Sequence, residues 1–247
     1  MKVLFVGDIH NHTKAIEGIE RLDKEHNFDR IICMGDYVDD WGTDNHDSLK
    51  TLNKMFELKR KNPDKYTLLI GNHEVSYLGF PCSGHHFELE DAMTQTLKEN
   101  INLLNFHTTV ELGDKKFVCS HSGFTNDYIC QVIDAYGEWE DVLDRFEKDK
   151  LAHLPYLRYC SYYRGGRDTC SSFIWTDRRE MLEMSLREKP IMNYQVVGHS
   201  PVQSVCNTVG ENYEIYFTDT FSTYRDGSPF GDSSYLAWMD NEFNVLY

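Results

Sequence analysis

The amino-acid sequence predicts an α/β fold, and the order of its strands, loops and helices is the evidence. Three times in the first half, an apolar run typical of a buried strand ends at a glycine that is followed by a polar side chain. Segments with apolar residues at helical spacing follow the first two runs, which is the alternation expected of an α/β sheet. The end of the chain carries short apolar runs only, so a β-rich part completes the fold.

The elements of the first half are short and well separated. The predicted strands cover residues 2–6, 30–34 and 66–70, and the predicted helices cover residues 13–25 and 47–61. Asp8, Asp36 and Asn72 follow the three strands. Because ligands of α/β sheets bind at the carboxyl ends of the strands, we expect these three side chains to belong to one site.

The second half has a less regular pattern. It predicts helices over residues 88–99, 128–148 and 177–188, the second with a break at Gly137 and Glu138, and strands over residues 116–120, 172–175 and 194–197. Short strands follow at residues 204–208, 213–218, 234–239 and 243–246. Residues 151–172 fit no periodicity, so a lid, a specificity loop and an ordinary surface connection all stay open there.

Composition limits the classes of function. The 247 residues are 40% hydrophobic and 26% charged, which is ordinary for a globular protein and is interpreted as a single domain over residues 1–247. A net charge of −15 disfavours binding to duplex nucleic acid, which requires lysine and arginine against phosphates. A small phosphorylated substrate stays open, because bound metal ions can supply local positive charge.

The cysteines and the N-terminus favour a cytoplasmic protein. Seven cysteines occur without a C-x-x-C pair, so we expect reduced and mostly buried thiols. The first apolar run is too short for a signal peptide, and no run of about 18 apolar residues predicts a membrane span.

Five short segments place a metal-binding type of side chain directly after a predicted strand. Carboxylates, an amide oxygen and imidazoles together suit Mn²⁺, Fe or Zn²⁺, and no cysteine lies among them. The segments are Gly7-Asp8-Ile9-His10, Gly35-Asp36-Tyr37-Val38-Asp39, Gly71-Asn72-His73-Glu74, Ser120-His121-Ser122-Gly123 and Gly198-His199-Ser200-Pro201.

In this order the segments resemble the calcineurin-like metallophosphoesterase superfamily, and they look most like serine/threonine phosphoprotein phosphatases and their bacterial and phage relatives. The resemblance runs from Asp8 to about Asp219. It implies a four-layer α/β/β/α sandwich, in which the strand-end loops of two sheets meet at a pair of metal ions.

The resemblance also implies a role for each matching residue. Asp8 and His10 would bind the first metal, and the carboxylate of Asp36 would bridge both metals. The second metal would be bound by Asn72, His121 and His199. Two such cations can share a hydroxide and hold phosphate oxygens during hydrolysis, and Asn72 is expected to contact the substrate phosphate as well.

His73 and Asp39 match the family's proton donor and its partner. The resemblance implies that His73 protonates the leaving alkoxide and that Asp39 orients the imidazole. A carboxylate partner also favours the charged imidazolium, so the acid is ready near neutral pH.

The last histidine segment separates branches of the superfamily. Many phosphodiesterase branches end in G-H-x-H, whereas Pro201 stands at the second histidine position here. Phosphoprotein phosphatases and symmetrical dinucleoside tetraphosphatases also have one histidine at this point. The segment therefore favours phosphomonoester or dinucleotide chemistry.

The sequence departs from the family at two motifs. The family arginine that contacts the substrate phosphate is Asp40 here, and Asn11 replaces a usual glycine. A guanidinium from elsewhere could replace that arginine, because it holds phosphate through two parallel hydrogen bonds. The candidates are Arg164, Arg167, Arg178 and Arg179, of which Arg178 follows a segment that resembles the Trp-x-Arg region of bacterial and phage members. Two further features stay open: His85 and His86 could reach the site, and Trp41 could either stack on a substrate or pack.

These patterns predict a two-metal hydrolase of phosphate esters, acting on a phosphomonoester like that of serine/threonine phosphoproteins. The metals are expected to be Mn²⁺, with Fe, Zn²⁺ or Ni²⁺ as alternatives. A symmetrical dinucleoside tetraphosphate hydrolase is the second hypothesis, and a non-catalytic scaffold with the same fold is the third. The sequence does not indicate an oligomeric state.

Overall fold

Two β-sheets form the centre of the molecule in a computed structural model that describes residues 1–41, 45–79, 90–136 and 139–247. The strands of the described residues are β1 (Val3–Val6), β2 (Arg30–Cys33), β3 (Tyr66–Leu69), β4 (Leu104–Asn105), β5 (His107–Leu112), β6 (Lys115–Ser120), β7 (Tyr194–Val197), β8 (Cys206–Gly210), β9 (Tyr213–Phe217), β10 (Tyr235–Met239) and β11 (Glu242–Leu246).

Helices follow most of the strands in the first half and fill the middle of the chain. They are α1 (Thr13–His26), α2 (Asn45–Lys61), α3 (Asn72–Ser76), α4 (Glu90–Asn100), α5 (Asn126–Tyr136), α6 (Trp139–Lys148), α7 (Lys150–Leu157) and α8 (Arg178–Arg187), with 3-10 turns at Ile101–Leu103 and Tyr162–Arg164. In the described residues, none of these helices combines the length and the apolar character that crossing a membrane requires.

The strand order explains how the two halves of the chain join. The first sheet has the order β11-β10-β1-β2-β3-β4, and the second has the order β5-β6-β7-β9-β8. Strands β1 to β4 run parallel to one another, as do β6, β7 and β9, so their carboxyl ends lie at one edge of each sheet. The late strand β10 pairs antiparallel with β1 and closes the free side of the first strand.

Alternating side chains build the four layers. Val3 and Phe5 of β1 belong to the apolar cluster between the sheets, which also contains Phe117 of β6. Leu4 and Val6 point to the opposite face and pack with the helical side of the first sheet. Helix α8 covers the outer face of the second sheet through a third apolar cluster. This arrangement confirms the predicted α/β/β/α sandwich.

Most predicted elements of the sequence are present, with one correction. Residues 172–175 are a turn rather than a strand, because the amides of Trp175 and Thr176 both donate to the carbonyl oxygen of Ser172. Strand β5 and helix α3 were not predicted. The predicted break at Gly137 and Glu138 lies outside the described residues.

Residues 151–172 contain more regular structure than the sequence indicated. Helix α7 occupies the first part, and the segment from Ser161 to Ser171 folds back on itself. The buried carboxylate of Glu180 holds this segment closed, since it accepts hydrogen bonds from the hydroxyls of Ser161 (2.9 Å) and Ser171 (2.8 Å) and from the Ser171 amide (2.9 Å). The single-domain boundary and the role of this segment as a lid stay predictions.

The cysteines of the described residues carry no disulfide. Cys33, Cys119 and Cys170 are buried, whereas Cys130 is exposed and Cys160 and Cys206 are partly exposed. The expected free thiols are therefore present, but only half of them are buried.

Candidate metal centre

Polar side chains from both sheets meet at the carboxyl ends of the parallel strands. The residues that follow the strands are Asp8 after β1, Asp36 after β2, Asn72 after β3, His121 after β6 and His199 after β7. Two contacts join the sheets there: the His199 amide donates to both carboxylate oxygens of Asp8 at 2.9 Å, and the His121 ring donates to the carbonyl oxygen of Met34 at 2.7 Å. Both contacts cross from one sheet to the other.

The carboxylate of Asp36 lies between two imidazoles. Its Oδ2 atom is 3.8 Å from Nε2 of His10 and 3.4 Å from Nε2 of His121. Its Oδ1 atom accepts a hydrogen bond from the His73 amide at 2.9 Å, which fixes the orientation of the group. One oxygen is therefore directed toward two different sets of donor atoms.

Backbone carbonyls determine which nitrogen of each imidazole carries hydrogen. Nδ1 of His10 lies 2.7 Å from the carbonyl oxygen of Asp39, and Nδ1 of His121 lies 2.7 Å from that of Met34. A carbonyl can only accept, so both Nδ1 atoms donate, and in the neutral rings the Nε2 lone pairs point into the site. This is the arrangement in which histidines usually bind metal ions.

Lone pairs also converge on the other side of Asp36. Nε2 of His121 is 3.0 Å from Oδ1 of Asn72 and 3.1 Å from Nδ1 of His199. Burial, together with the positive charge of Arg164, lowers the pKa of His199 well below its usual value, so this ring is neutral. Its Nε2 is buried and has no hydrogen-bond partner among the described residues. Acceptors that face one another this closely need a proton or a cation between them.

Three buried carboxylates increase the need for positive charge in the site. Asp8, Asp36 and Asp219 are at most 1% exposed, and within the described chain no lysine or arginine forms an ion pair with any of them. Burial and the negative charges of Asp219 and Asp36 raise the pKa of Asp8 well above its usual value. Burial also acts to raise the pKa of Asp36, but His121 and the other nearby imidazoles outweigh it and lower that pKa. The donor set and its charge therefore fit divalent cations.

Two groups of side chains satisfy the geometry of a metal site. His10, Asp36 and His73 form one group, and Asp36, His121 and His199 form the other; within each, the candidate ligand atoms lie within 4.8 Å of one another. Asp36 belongs to both. His73 appears in the first group, although the sequence assigns it a different role.

His73 makes the contact expected of an oriented acid. Its Nδ1 atom lies 3.4 Å from Oδ2 of Asp39, whose other oxygen accepts a hydrogen bond from the Tyr77 hydroxyl at 2.7 Å. Burial acts to lower the pKa of His73, but the carboxylates of Asp36 and Asp39 outweigh it and raise the pKa to about 9. The imidazole is therefore protonated at neutral pH in the absence of cations.

Glu74 holds the loop that carries Asp36. Its buried carboxylate accepts hydrogen bonds from the amides of Asp36 (2.9 Å), Tyr37 (2.7 Å) and Gly71 (2.8 Å). Burial and the charge of Asp36 raise the pKa of Glu74 to about 7. A Cβ atom at Gly71 would lie 2.0 Å from Oδ1 of Asp36, so only glycine permits this approach.

Several site residues have unusual backbone conformations. His10, Asp36, Asp39 and His199 all have φ between +43° and +64°, in the left-handed region. Such conformations cost roughly 1 kcal/mol or more for residues other than glycine and persist where surrounding contacts fix them. The amides of Asp36 and His199 donate to the carboxylates of Glu74 and Asp8. Those of His10 and Asp39 donate to the carbonyl oxygen of Asp36 and to the hydroxyl of Ser48.

A cavity of about 290 Å³ opens directly onto these residues. His10, Asp36, Asn72, His73 and His199 line its base. Its walls are formed by Asp40, Trp41, Arg164, Trp175, Pro201, Ser222 and Thr223.

Arg164 is the arginine that reaches this cavity. Its Nη2 atom donates to the carbonyl oxygen of His199 (2.9 Å) and to the hydroxyl of Ser200 (3.0 Å), and its Nε atom pairs with Asp177 at 2.9 Å. The structure does not bring Arg178 to the site: its guanidinium lies over the ring of Phe217, 5.3 Å from the centroid.

The remaining candidates also lie elsewhere. Arg167 and Arg179 are exposed, and neither lines the cavity among the described residues. His85 and His86 lie outside the described residues. Asp40 is buried in the cavity wall, where its Oδ2 atom accepts a hydrogen bond from His12 at 2.9 Å.

Sequence reasoning missed two residues of the site. Asp219 follows β9, a strand parallel to β7, so the same strand-end rule that selected the other residues could have found it. Its carboxylate accepts hydrogen bonds from the Ser222 hydroxyl at 2.8 and 2.9 Å. Glu74 carries no comparable signal, because its role depends on amides that lie far away in the sequence.

Comparison with known proteins agrees with this geometry. The family model for calcineurin-like phosphoesterases matches residues 1–203. The chain belongs to the calcineurin-like phosphoesterase family. The predicted superfamily is therefore confirmed, together with its class of metal-dependent phosphoesterases.

Two serine/threonine-protein phosphatases are similar to part of the chain. It is 30% identical over 125 residues to the serine/threonine-protein phosphatase ppe1 of Schizosaccharomyces pombe, and these residues are 50% of this chain and 39% of that protein. It is 27% identical over 146 residues to the serine/threonine-protein phosphatase 6 catalytic subunit of Drosophila melanogaster, with coverages of 55% and 45%. The chain thus spans less than half the length of these relatives.

Solved structures share the fold over the whole chain. A protein serine/threonine phosphatase from Saccharomyces cerevisiae has a TM-score of 0.62 at 13% identity, with 100% of this chain and 79% of the other covered. A cold-active protein-tyrosine phosphatase of a Shewanella species has a TM-score of 0.58 at 16% identity, with coverages of 100% and 80%.

Replacing Glu74 tests how the Asp36 loop is held. Glu74→Gln places an amide N–H group among three backbone donors, so we expect Mn²⁺ binding to weaken about tenfold. Isothermal titration with Mn²⁺ measures this, with the exposed Glu57→Gln as the matched control. Equal Mn²⁺ affinity in the two variants would contradict the role assigned to Glu74.

Proposed function

We propose that this chain is a divalent-metal-dependent phosphomonoesterase that acts on phosphorylated protein side chains. One observation carries the proposal: the Asp36 carboxylate lies between His10 and His121, with the His73–Asp39 pair beside it. This arrangement combines a site for two cations with a proton donor, which are the parts that hydrolysis of a phosphate ester requires.

The proposed ligands divide between two cations. Asp8 and His10 would hold the first cation, and Asp36 would contact both cations. The second would be held by Asn72, His121 and His199. When bound, such cations neutralise the charge of the phosphoryl group and lower the pKa of a water molecule, and Mn²⁺ is the proposed metal, with Fe, Zn²⁺ or Ni²⁺ as alternatives.

The chain's own residues supply the proton for the leaving group. We assign this step to His73, which holds its proton against Asp39 and lines the cavity. The Asp39 carboxylate is buried and accepts a hydrogen bond from the Tyr77 hydroxyl, so its orientation toward the His73 imidazole is fixed. The ester oxygen then receives the proton as its bond to phosphorus breaks.

Arg164 is the proposed contact to the substrate phosphate, in place of Arg178. Its guanidinium lines the cavity and is held by Asp177 and by the carbonyl oxygen of His199. These contacts fix its position before the substrate arrives, so less conformational freedom is lost on binding. Asn72 is the second proposed contact.

The cavity favours a phosphomonoester over a dinucleoside tetraphosphate. Its volume of about 290 Å³ is at the lower end of the roughly 300–1,000 Å³ of small-molecule sites, enough for a phosphoryl group and the start of a leaving group. The relatives named serine/threonine-protein phosphatases point to phosphorylated proteins. The scaffold hypothesis is disfavoured because the full set of ligands and the proton donor is present.

Metal removal tests the proposal directly. Chelation followed by gel filtration should abolish hydrolysis of a phosphoserine peptide, and added Mn²⁺ should restore it, because the buried carboxylates need cations to organise the site. The same assay with diadenosine tetraphosphate compares the two substrate classes. Full turnover by the stripped protein would contradict the mechanism, and turnover of the dinucleotide alone would favour the second hypothesis.

His73→Asn tests the proton donor. We expect kcat for a phosphoserine peptide to fall about 10²- to 10³-fold, since an amide cannot supply the proton. The loss for p-nitrophenyl phosphate should be much smaller, because its leaving group is stable without protonation. Equal losses for both substrates, or a loss of Mn²⁺ affinity in titration, would instead indicate a structural or ligand role.

The pair Arg164→Ala and Arg178→Ala tests the phosphate contact. A lost charge-assisted hydrogen bond corresponds to about 1.5–3 kcal/mol, so kcat/KM should fall about 10- to 100-fold in the first variant. Arg178→Ala should change it by less than about twofold. A larger loss of kcat/KM in Arg178→Ala than in Arg164→Ala, measured with a phosphopeptide at saturating Mn²⁺, would instead assign the phosphate contact to Arg178.

A further inference from the structure

The wall of the cavity next to the proton donor carries an exposed indole. Trp41 lines the cavity and keeps 38% of its surface accessible, whereas tryptophans are usually well buried. Exposed aromatic surface beside a polar site commonly marks a place where a ligand binds. The sequence left open whether Trp41 packs or stacks, and its partly exposed surface in the cavity wall favours stacking.

One contact orients the indole, and another holds its backbone. The Trp41 amide donates to Oδ1 of Asp40 at 2.7 Å, and the guanidinium of Arg225 lies over the ring, 5.1 Å from its centroid. Asp40 is in turn bound to His12 and is buried. The ring is therefore positioned before a substrate binds, which reduces the entropy lost on stacking.

The proton donor connects the leaving group with this wall, because His73 and Trp41 line the same cavity. His73 must approach the ester oxygen to protonate it, and its partner Asp39 is two residues from Trp41. Arg164, the proposed phosphate contact, belongs to a different wall beside His199. A phosphoryl group held on the Arg164 side thus has its leaving group directed toward Trp41.

Asp40 restricts what that leaving group can be. Its carboxylate lines the same wall and would repel a second anionic group close to the ester. An uncharged ring has no such cost and gains from stacking on the indole. Among phosphorylated protein side chains, the one with an aromatic leaving group fits these two conditions best.

We propose that Trp41 stacks on the aromatic ring of the leaving group, so that the chain prefers aryl phosphomonoesters such as phosphotyrosine over alkyl ones such as phosphoserine. The inference rests on the proposed function and narrows its substrate class. It makes Trp41 a specificity-determining residue that contacts the substrate without taking part in proton transfer.

Three variants at position 41 test the proposal at saturating Mn²⁺. Trp41→Ala should lower kcat/KM for N-acetyl-phosphotyrosine amide about tenfold and change it for the phosphoserine amide by less than twofold. Trp41→Phe should retain most of the aryl activity, and Trp41→Leu should not, since only phenylalanine preserves the ring. Mn²⁺ affinity should be the same in all variants. Equal losses for the two esters in Trp41→Ala would overturn the proposal.

Binding separates this inference from the proposed function. Benzylphosphonate and propylphosphonate cannot be hydrolysed, and titration calorimetry gives their affinities for the Mn²⁺-loaded protein. Benzylphosphonate should bind about tenfold more tightly to the wild type, and Trp41→Ala should remove the difference. If the wild type hydrolyses neither ester, the proposed function fails while this comparison still decides the role of Trp41. Equal affinities of the two phosphonates for the wild type would refute the stacking role of Trp41.

Discussion

The buried carboxylate of Asp36 is the group on which the rest of the site depends. It is held against His10 and His121 from different sheets, with Asp8 and Asp219 adding negative charge in the same dry region. Such a concentration of charge is stable only when protons or cations balance it. The backbone strain at His10 and His199 and the close approach of Gly71 follow from the need to bring these groups together.

Much of the fold and the ligand set could be predicted because the signal is local. Strands β1, β2, β3 and β7 end near a glycine with a polar residue beside it, and β6 is followed directly by His121. The parallel arrangement of these strands brings their ends together without further information. The positions of Asp8, Asp36, Asn72, His121 and His199 were therefore accessible from spacing and resemblance. Strand β5 was missed because only Val110 and Leu112 of its six residues are apolar.

The contacts that depend on tertiary structure were not accessible in this way. Neither Arg164 nor Arg178 is close to a candidate metal ligand in the sequence, and only the fold brings the Arg164 guanidinium to the cavity and places that of Arg178 over Phe217. Glu74 contacts amides more than thirty residues away. Asp40 looks unfavourable for phosphate binding in the motif, yet in the structure it anchors Trp41 and pairs with His12.

The pairing of β1 with β10 has a consequence for synthesis. The strand that precedes Asp8 is bordered by residues more than 230 positions later, and Asp219 follows β9, which adjoins β7. A growing chain on the ribosome has Asp8, His10 and Asp36 early but lacks the strand that borders β1 until residue 239 has emerged. Assembly of the centre in its final geometry therefore waits for the synthesis of β10, and a nascent chain that has not reached this strand has an unfinished centre.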